Sequence, residues 1–434
     1  MGKEGKKGKA GQLAQPSCSM VGLGTLFLET PGNFAVLIHG DVDCINPFLR
    51  VFPFRLAPDF HDTLLGSQRF YSTALNETDV VTGVTGKRAL ETIELVSRSG
   101  VDQIFLLGSC LSEMIGEDLE EIAREADRRF GVSVTPLSTG GLRLKSQPEL
   151  LDWFSELMLT NVPLPESTDP KALTLVGYPA LRPMERAELE RVLALGDLRL
   201  AAELPSRTSV ERWKLVASAS THVVADRRMF PRLMGRLEQS GSLLELPPPV
   251  GVGPTRQFYT AILDSFSTSN GPLAEMEGEA TLAVTRLAEP LRGRKVAYIL
   301  GSSKNYEAGS LALEGMGDLA AFLEMGMEVV VMVQERETDD GLSKIGGRLS
   351  QLGFDLPFVA FNDPVVLPEA LARDDFSLVY GPDHLSNQAR LAGIAFLKQG
   401  RMRPGFAGML HNVKMVIGSL SSGFSGRYGR YLRK

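Results

Sequence analysis

Phe34-Ala35-Val36-Leu37-Ile38-His39-Gly40 and Ile104-Phe105-Leu106-Leu107-Gly108-Ser109-Cys110 decide the fold. Each is an unbroken apolar run, rich in β formers, that stops at a glycine. A run without polar alternation is the pattern of a strand buried on both faces, as in a parallel sheet. Helical spacing fills the sequence around them. Leu90, Ile93 and Val96 share one face of Lys87–Ser97. Ile115 to Ala126 reads as one acidic amphipathic helix, with Asp118, Glu120 and Glu121 in its first turns, where carboxylates suit the helix dipole. Val80-Val81-Thr82-Gly83 reads as the close of an extended stretch, and Val132 to Pro136 as the next strand. Strand–helix–strand alternation predicts a parallel, doubly wound sheet, whose function gathers at the carboxyl ends of its strands.

The alternation recurs twice more. Leu173-Thr174-Leu175-Val176-Gly177 opens a second series, and Lys295-Val296-Ala297-Tyr298-Ile299-Leu300-Gly301 a third. The proline-rich stretch from Asn161 to Pro170 separates the first two. The predicted architecture is therefore α/β, with three Rossmann-like doubly wound parallel-sheet domains over 16–160, 161–290 and 291–434. Residues 1–15 carry Lys3, Lys6, Lys7 and Lys9 among glycines and read as a disordered basic tail. The tail from Gly418 to Lys434, rich in glycine and arginine, reads as a partner-docking or loose segment.

A chain of 434 residues exceeds one comfortable core. Its net charge of −6 supplies no broad basic surface, so nucleic acid is not an expected partner. It has no apolar run of about 18 residues for a membrane span, and no apolar stretch follows the basic start to make it a secretory signal. A cytoplasmic location is expected.

The chain has three cysteines, Cys18, Cys44 and Cys110, each beside a turn or a strand end. One reading makes them small core residues. The other makes them ligands: none is scattered beyond Cys110, and turns bring isolated thiols toward one point. Soft thiolates suit zinc or iron–sulfur clusters, and the close Cys pairs usual in zinc sites are missing. Three thiols are one short of the four that a cubane cluster needs, so a partner would complete the site. Neither a dinucleotide fingerprint nor a P-loop is in frame: Gly83-Val84-Thr85-Gly86-Lys87 has too few residues between its glycines. Of the five histidines, His39 and His411 lie beside glycine-rich or apolar stretches, while His61, His222 and His384 are isolated; none belongs to a metalloprotease or hydrolase motif.

Four pieces in order resemble the nitrogenase component 1-type superfamily. They are Cys18-Ser19-Met20-Val21-Gly22, His39-Gly40 with Cys44, Glu77-Thr78-Asp79-Val80-Val81-Thr82-Gly83, and Gly108-Ser109-Cys110 with Glu113-Met114-Ile115-Gly116-Glu117-Asp118. The resemblance implies three Rossmann-like domains and pairing with a homologous α-type subunit, as a heterodimer or an α2β2 heterotetramer. It implies Cys18, Cys44 and Cys110 as ligands of an iron–sulfur cluster at the subunit interface, P-cluster-like (8Fe-7S) or 4Fe-4S. It also implies an ATP-dependent iron–sulfur reductase protein as electron donor. No cysteine follows Cys110, which makes the chain resemble the β-type subunit, although His411 offers a late histidine. Thr82 stands where nitrogenase subunits usually carry an aromatic residue. The resemblance thus points to an oxidoreductase subunit. Its first reading is methylthio-alkane reductase, cleaving carbon–sulfur bonds. A cofactor-assembly scaffold and a dark-operative protochlorophyllide or chlorophyllide reductase are the alternatives.

Overall fold

The computed structural model describes Leu23, Phe27 and residues 32–45, 69–140, 147–160, 167–178, 181–204, 213–302, 316–334, 345–347, 349–350, 353–361 and 366–421. It contains three parallel sheets. The first is ordered β2-β1-β3-β4, from β1 (Phe34–His39), β2 (Phe70–Ser72), β3 (Gln103–Gly108) and β4 (Ser133–Ser138). The second repeats that order as β6-β5-β7-β8, from β5 (Asp169–Val176), β6 (Arg199–Leu204), β7 (Ala219–Val224) and β8 (Ser242–Glu245). The third is β11-β10-β9-β12-β13, from β9 (Lys295–Ser302), β10 (Glu328–Gln334), β11 (Phe358–Phe361), β12 (Phe376–Gly381) and β13 (Ala395–Lys398).

The unbroken apolar runs do bury both faces. Phe34, Val36, Ile38, Phe105 and Leu107 join one core, while Ala35, Leu37, Ile104 and Leu106 join another on the opposite face. The third sheet divides in the same way: Val296, Tyr298, Val331 and Tyr380 face one core, Ala297, Ile299, Met332 and Val379 the other. Period-two side-chain direction turns each run into two half-cores.

In the first unit the helices are α1 (Glu77–Val81), α2 (Thr85–Ser97), α3 (Cys110–Met114), α4 (Leu119–Phe130) and α5 (Gln147–Thr160). Two expectations fail here. Val80-Val81 ends a helix rather than a strand, because Asn76 and Asp79 form a capping box at its start; local capping overrides the β preference of two valines. The helix expected from Ile115 to Ala126 starts only at Leu119, and Ile115 is the C-cap of the helix before it. Gly116 turns the chain at φ +72°, and Asp118 restarts it by accepting the N–H of Glu121 at 2.9 Å.

The later helices are α6 (Pro183–Leu193), α7 (Trp213–Ser218), α8 (Pro231–Leu237), α9 (Val252–Ser265), α10 (Pro272–Leu287), α11 (Leu319–Glu324), α12 (Leu367–Arg373), α13 (Ser386–Leu391) and α14 (Gly405–Ser421). Part of the expected loose tail, Gly418–Ser421, is the last turn of α14. Residues 422–434 and the basic tail 1–15 lie outside the described residues.

The middle sheet shares a core with each neighbour. Phe154 and Leu159 of α5 pack with Phe34 and Phe105 below them and with Trp213 and Phe230 of the second unit above. Leu173, Leu175 and Val223 of the second sheet pack into the core that holds Val296, Tyr298 and Tyr380 of the third. Buried and half-buried carboxylates fasten these seams by accepting N–H groups at helix starts that have no intrahelical acceptor. Asp152 accepts from Arg232 and Leu233 of α8 at 3.2 and 3.0 Å. Glu188 accepts from Phe406 and Ala407 of α14 at 2.8 and 2.7 Å and from the Tyr259 hydroxyl at 2.8 Å. Glu324 accepts from Val252 and Gly253 of α9. Burial raises the carboxyl pKa of Asp152 and Glu324, against the hydrogen bonds that lower it.

Candidate functional site

The chain runs from β1 outward to β2, returns past β1 to β3, and runs outward again to β4. The connections therefore diverge between β1 and β3 and open a crevice at their carboxyl ends, the ligand position of doubly wound sheets. Cys44 and Cys110 both follow those two strand ends. Cys44 closes a 3-10 turn, Val42–Cys44, started by Asp41, whose carboxylate accepts the Asp43 N–H at 2.6 Å. Cys110 opens α3 directly after β3, and Ser109 caps that helix. Cys44 is half-buried and Cys110 exposed. Cys18 lies outside the described residues.

Gly40 joins the two turns. A Cβ there would stand 2.3 Å from the Ser109 Oγ and 3.5 Å from the Cys44 Sγ, so only glycine lets the loops meet. The Gly40 N–H donates to the Thr73 hydroxyl at 3.1 Å, and the Ser109 N–H donates to the His39 carbonyl at 3.2 Å. The Ser112 hydroxyl returns to the Ser109 carbonyl at 2.9 Å, and the Gly140 N–H donates to Glu113 Oε1 at 2.9 Å. Helix α3 is thus tied to the ends of β1, β3 and β4.

Beneath the turns lies a buried histidine–carboxylate contact that the sequence reading of the site does not include. His39 is fully buried, and its Nε2 is 3.4 Å from Glu117 Oε2. Neither ring nitrogen reaches the geometry of a full hydrogen bond, so the contact is a long polar one. The nearby His39 ring is the largest influence on the Glu117 carboxyl and holds its pKa below the ordinary value; burial opposes this, and the Thr85 hydroxyl assists. The signal available in the sequence is the Ile115-Gly116-Glu117-Asp118 stretch, whose apolar spacing assigns it to a helix and does not mark Glu117 as part of the site.

The same edge exposes apolar side chains. Val81 is 79% and Met114 73% exposed, and Val42 and Ile115 are also open. They follow β2, β3, β1 and β3 respectively, all at carboxyl ends. Among the described residues, no three His, Cys, Asp or Glu side chains converge as a complete metal site. Two thiols at one crevice match the chemistry of a soft-metal half-site, and the glycine contact keeps the space beside the Cys44 sulfur free of a side-chain carbon.

The remaining histidines do other things. His222, on β7, contacts the Thr174 hydroxyl at 2.8 Å and the Ser240 hydroxyl at 3.1 Å, and burial pushes its pKa down to about 4. His411 lies half-buried on α14, its pKa lowered by burial and then by Arg182 and Lys414. His61 falls outside the described residues, and His384 lies in the turn after β12. A small apolar pocket, lined by Leu175, Tyr178, Leu189, Phe258 and Tyr259, sits at the carboxyl end of β5 and contains no thiol. No helix among the described residues is long and apolar enough to cross a membrane.

The profile of the family described as nitrogenase component 1 type oxidoreductase matches residues 18–420. The chain is 23% identical to the light-independent protochlorophyllide reductase subunit N of Roseobacter denitrificans, over 76% of this chain and 81% of that protein. It is 26% identical to the subunit N of Prochlorococcus marinus strain MIT 9312, over 62% of each. It is 20% identical to the nitrogenase iron-molybdenum cofactor biosynthesis protein NifE of Nostoc, over 79% of this chain and 71% of that one. A solved structure, nitrogenase Cp1 at pH 6.5, superposes with a TM-score of 0.67 at 16% identity, covering 97% of this chain and 94% of the other. That likeness establishes the fold.

Proposed function

The chain belongs to the nitrogenase component 1 type oxidoreductase family, and from that premise we propose that it is a β-type subunit of a two-component, nitrogenase-like reductase. In this reading Cys18, Cys44 and Cys110 hold one half of an iron–sulfur cluster, 8Fe-7S or 4Fe-4S, at the interface with a homologous α-type subunit. The observation that carries the reading is the meeting of the Cys44 and Cys110 turns over Gly40 at the β1/β3 crevice. The cluster, when bound, supplies one-electron redox chemistry.

The chain's own residues have separate tasks. The three thiolates would anchor iron. Gly40 and Ser109 set the approach of the two turns, and Glu113 and Ser112 fix α3 against the sheet. The exposed Val42, Val81, Met114 and Ile115 offer an apolar contact for the partner subunit or for an ATP-dependent iron–sulfur reductase protein that delivers electrons. Substrate reduction is assigned to a cofactor in the partner.

For the substrate, reductive carbon–sulfur cleavage of methylthio-alkanes remains our first reading. The similarity to the two subunit N proteins favours protochlorophyllide reduction, and that to NifE favours cofactor assembly. The test is anaerobic co-purification with the homologous partner, then iron analysis and EPR. Iron at cluster stoichiometry and a reducible signal support the reading; an iron-free, well-folded complex overturns it. With iron present, turnover assays with methylthio-alkanes and protochlorophyllide, and cluster transfer to an apo-acceptor, separate the three roles.

A further inference from the structure

We propose that His39 and Glu117 form a positioning pair that sets helix α3, and with it Cys110, against the turn that carries Cys44. The proposal rests on the reading of this crevice as a cluster half-site. Helix α3 has only five residues, too few to hold its own direction by backbone hydrogen bonds. Its placement must come from what grips its two ends.

At the amino end the grip is Ser109. Its N–H donates to the His39 carbonyl, and its side chain packs on Gly40, beside the Cys44 sulfur. At the carboxyl end the chain turns at Gly116, and the Glu117 N–H donates to the Ser112 carbonyl at 3.0 Å. The Glu117 carboxylate then reaches back under the helix to the His39 ring. His39 therefore receives both ends of α3, one through its main chain and the other through its side chain. The pair is sealed: the His39 side chain is 0% and that of Glu117 14% exposed. A polar contact at this depth has little water to compete with it and holds its geometry.

The same residues join the surface to the thiols. Met114, the last residue of α3, and Ile115, its C-cap, are both exposed and lead into the turn before Glu117. A partner resting on that turn would therefore bear on Glu117, and through His39 on the Ser109–Gly40 contact. The Cys44 sulfur lies beside that contact and is half-buried, while Cys110 is exposed. Losing the pair is therefore expected to uncover Cys44 much more than Cys110, which is exposed already.

The experiment uses the full chain in two arms. In the first, Glu117→Gln, Glu117→Asp and His39→Gln are alkylated with iodoacetamide and the two thiols are followed by mass spectrometry. The Cys44-to-Cys110 rate ratio should rise several-fold in Glu117→Gln and return most of the way in Glu117→Asp. General loosening would also speed the half-buried Cys44 thiol but would lower the thermal melt with it, so the positioning role requires the rise in a variant that melts close to the unmutated chain. If Glu117→Gln fails to fold, judged by its thermal melt, His39→Gln carries the same test. In the second arm, the complex with the partner subunit is compared by iron content, EPR and redox titration. Glu117→Gln should keep its iron and change the EPR signature and midpoint potential. An unchanged alkylation ratio together with an unchanged signature would overturn the positioning role. Absence of iron in the unmutated complex would overturn the cluster reading instead, while the alkylation arm still decides the pair.

Discussion

The first and second sheets share one strand order, and therefore one crevice position, yet they use it in opposite ways. Between β1 and β3 the chain places Gly40, Cys44, Ser109 and Cys110, and the two turns meet beside a thiol. Between β5 and β7 the corresponding glycine is Gly177, and the Phe230 ring fills the space: a Cβ at Gly177 would stand 2.8 Å from it. Phe230 is fully buried in the core that joins the two units. Topology thus supplies a potential site wherever the strand order reverses, and side chains decide whether it stays a site or becomes core. The third sheet reverses between β9 and β12, where Tyr298 and Tyr380 pair in register and the Tyr380 hydroxyl donates to the buried Asp318. Those groups belong to the core beneath the strands.

The contrast breaks most sharply if a thiol can be removed without consequence. Cys44→Ala should abolish iron retention and weaken pairing with the partner, with a melting temperature close to that of the unmutated chain. Full iron content in that variant, by iron analysis and EPR, would return the first crevice to the status of the second. Phe230→Ala should do the reverse. It leaves iron content unchanged and costs about 3–5 kcal/mol, read from urea denaturation, because it empties a shared core.

The next effects are pH-dependent and of opposite sign. Burial raises the Asp318 carboxyl to about 7. The folded chain thus binds that proton more tightly than the unfolded chain, and stability is lost as pH rises from about 4 to about 7. Asp318→Asn keeps an acceptor for Tyr380 and should flatten this slope, gaining up to about 4 kcal/mol at pH 8 over the unmutated chain. His222 is shifted down, to about 4, so its contribution is present above about pH 6.5 and is lost on acidification through that interval, a change of about 3 kcal/mol. Urea titrations between pH 4.5 and 8 on the chain and on a His222→Gln variant resolve both. The smallest effect is Gly40→Ala, where the new methyl meets Ser109. About 1–3 kcal/mol is expected, with Cys44 alkylated faster than in the unmutated chain.

The sheets were legible because parallel strands buried on both faces leave continuous apolar runs, as in Phe34–Ile38 and Lys295–Gly301. The glycine at Gly40 and the thiols at Cys44 and Cys110 were legible because turn residues and rare residue types stand out one at a time. Short local contests were not. At Val80-Val81 an Asn76/Asp79 capping box outweighed β preference, and Gly116 split a helix whose apolar spacing continues across the break. The edge strands β8 and β13 escaped for a related reason: each has only four residues, too few to establish a period. The His39–Glu117 pair was hidden for a different one. Its members are 78 positions apart in sequence, and no local pattern records which carboxylate a buried imidazole will face. The shared cores were hidden for the same reason, since helix α5 lies before the second sheet in sequence but packs against it.

Glu188 carries a consequence for synthesis. It sits early on the second unit, and among the described residues its hydrogen-bond donors are Phe406 and Ala407, 218 and 219 positions later, and Tyr259. As the chain leaves the ribosome, the middle unit must wait for nearly all the remaining sequence before that carboxylate is satisfied. Contacts of such separation are slow to form, because a long loop must close first. The last helix acts as a latch: a chain ended before Gly405 leaves a buried acid facing an empty groove, and quality control in the cell would meet the second and third units as one unfinished object.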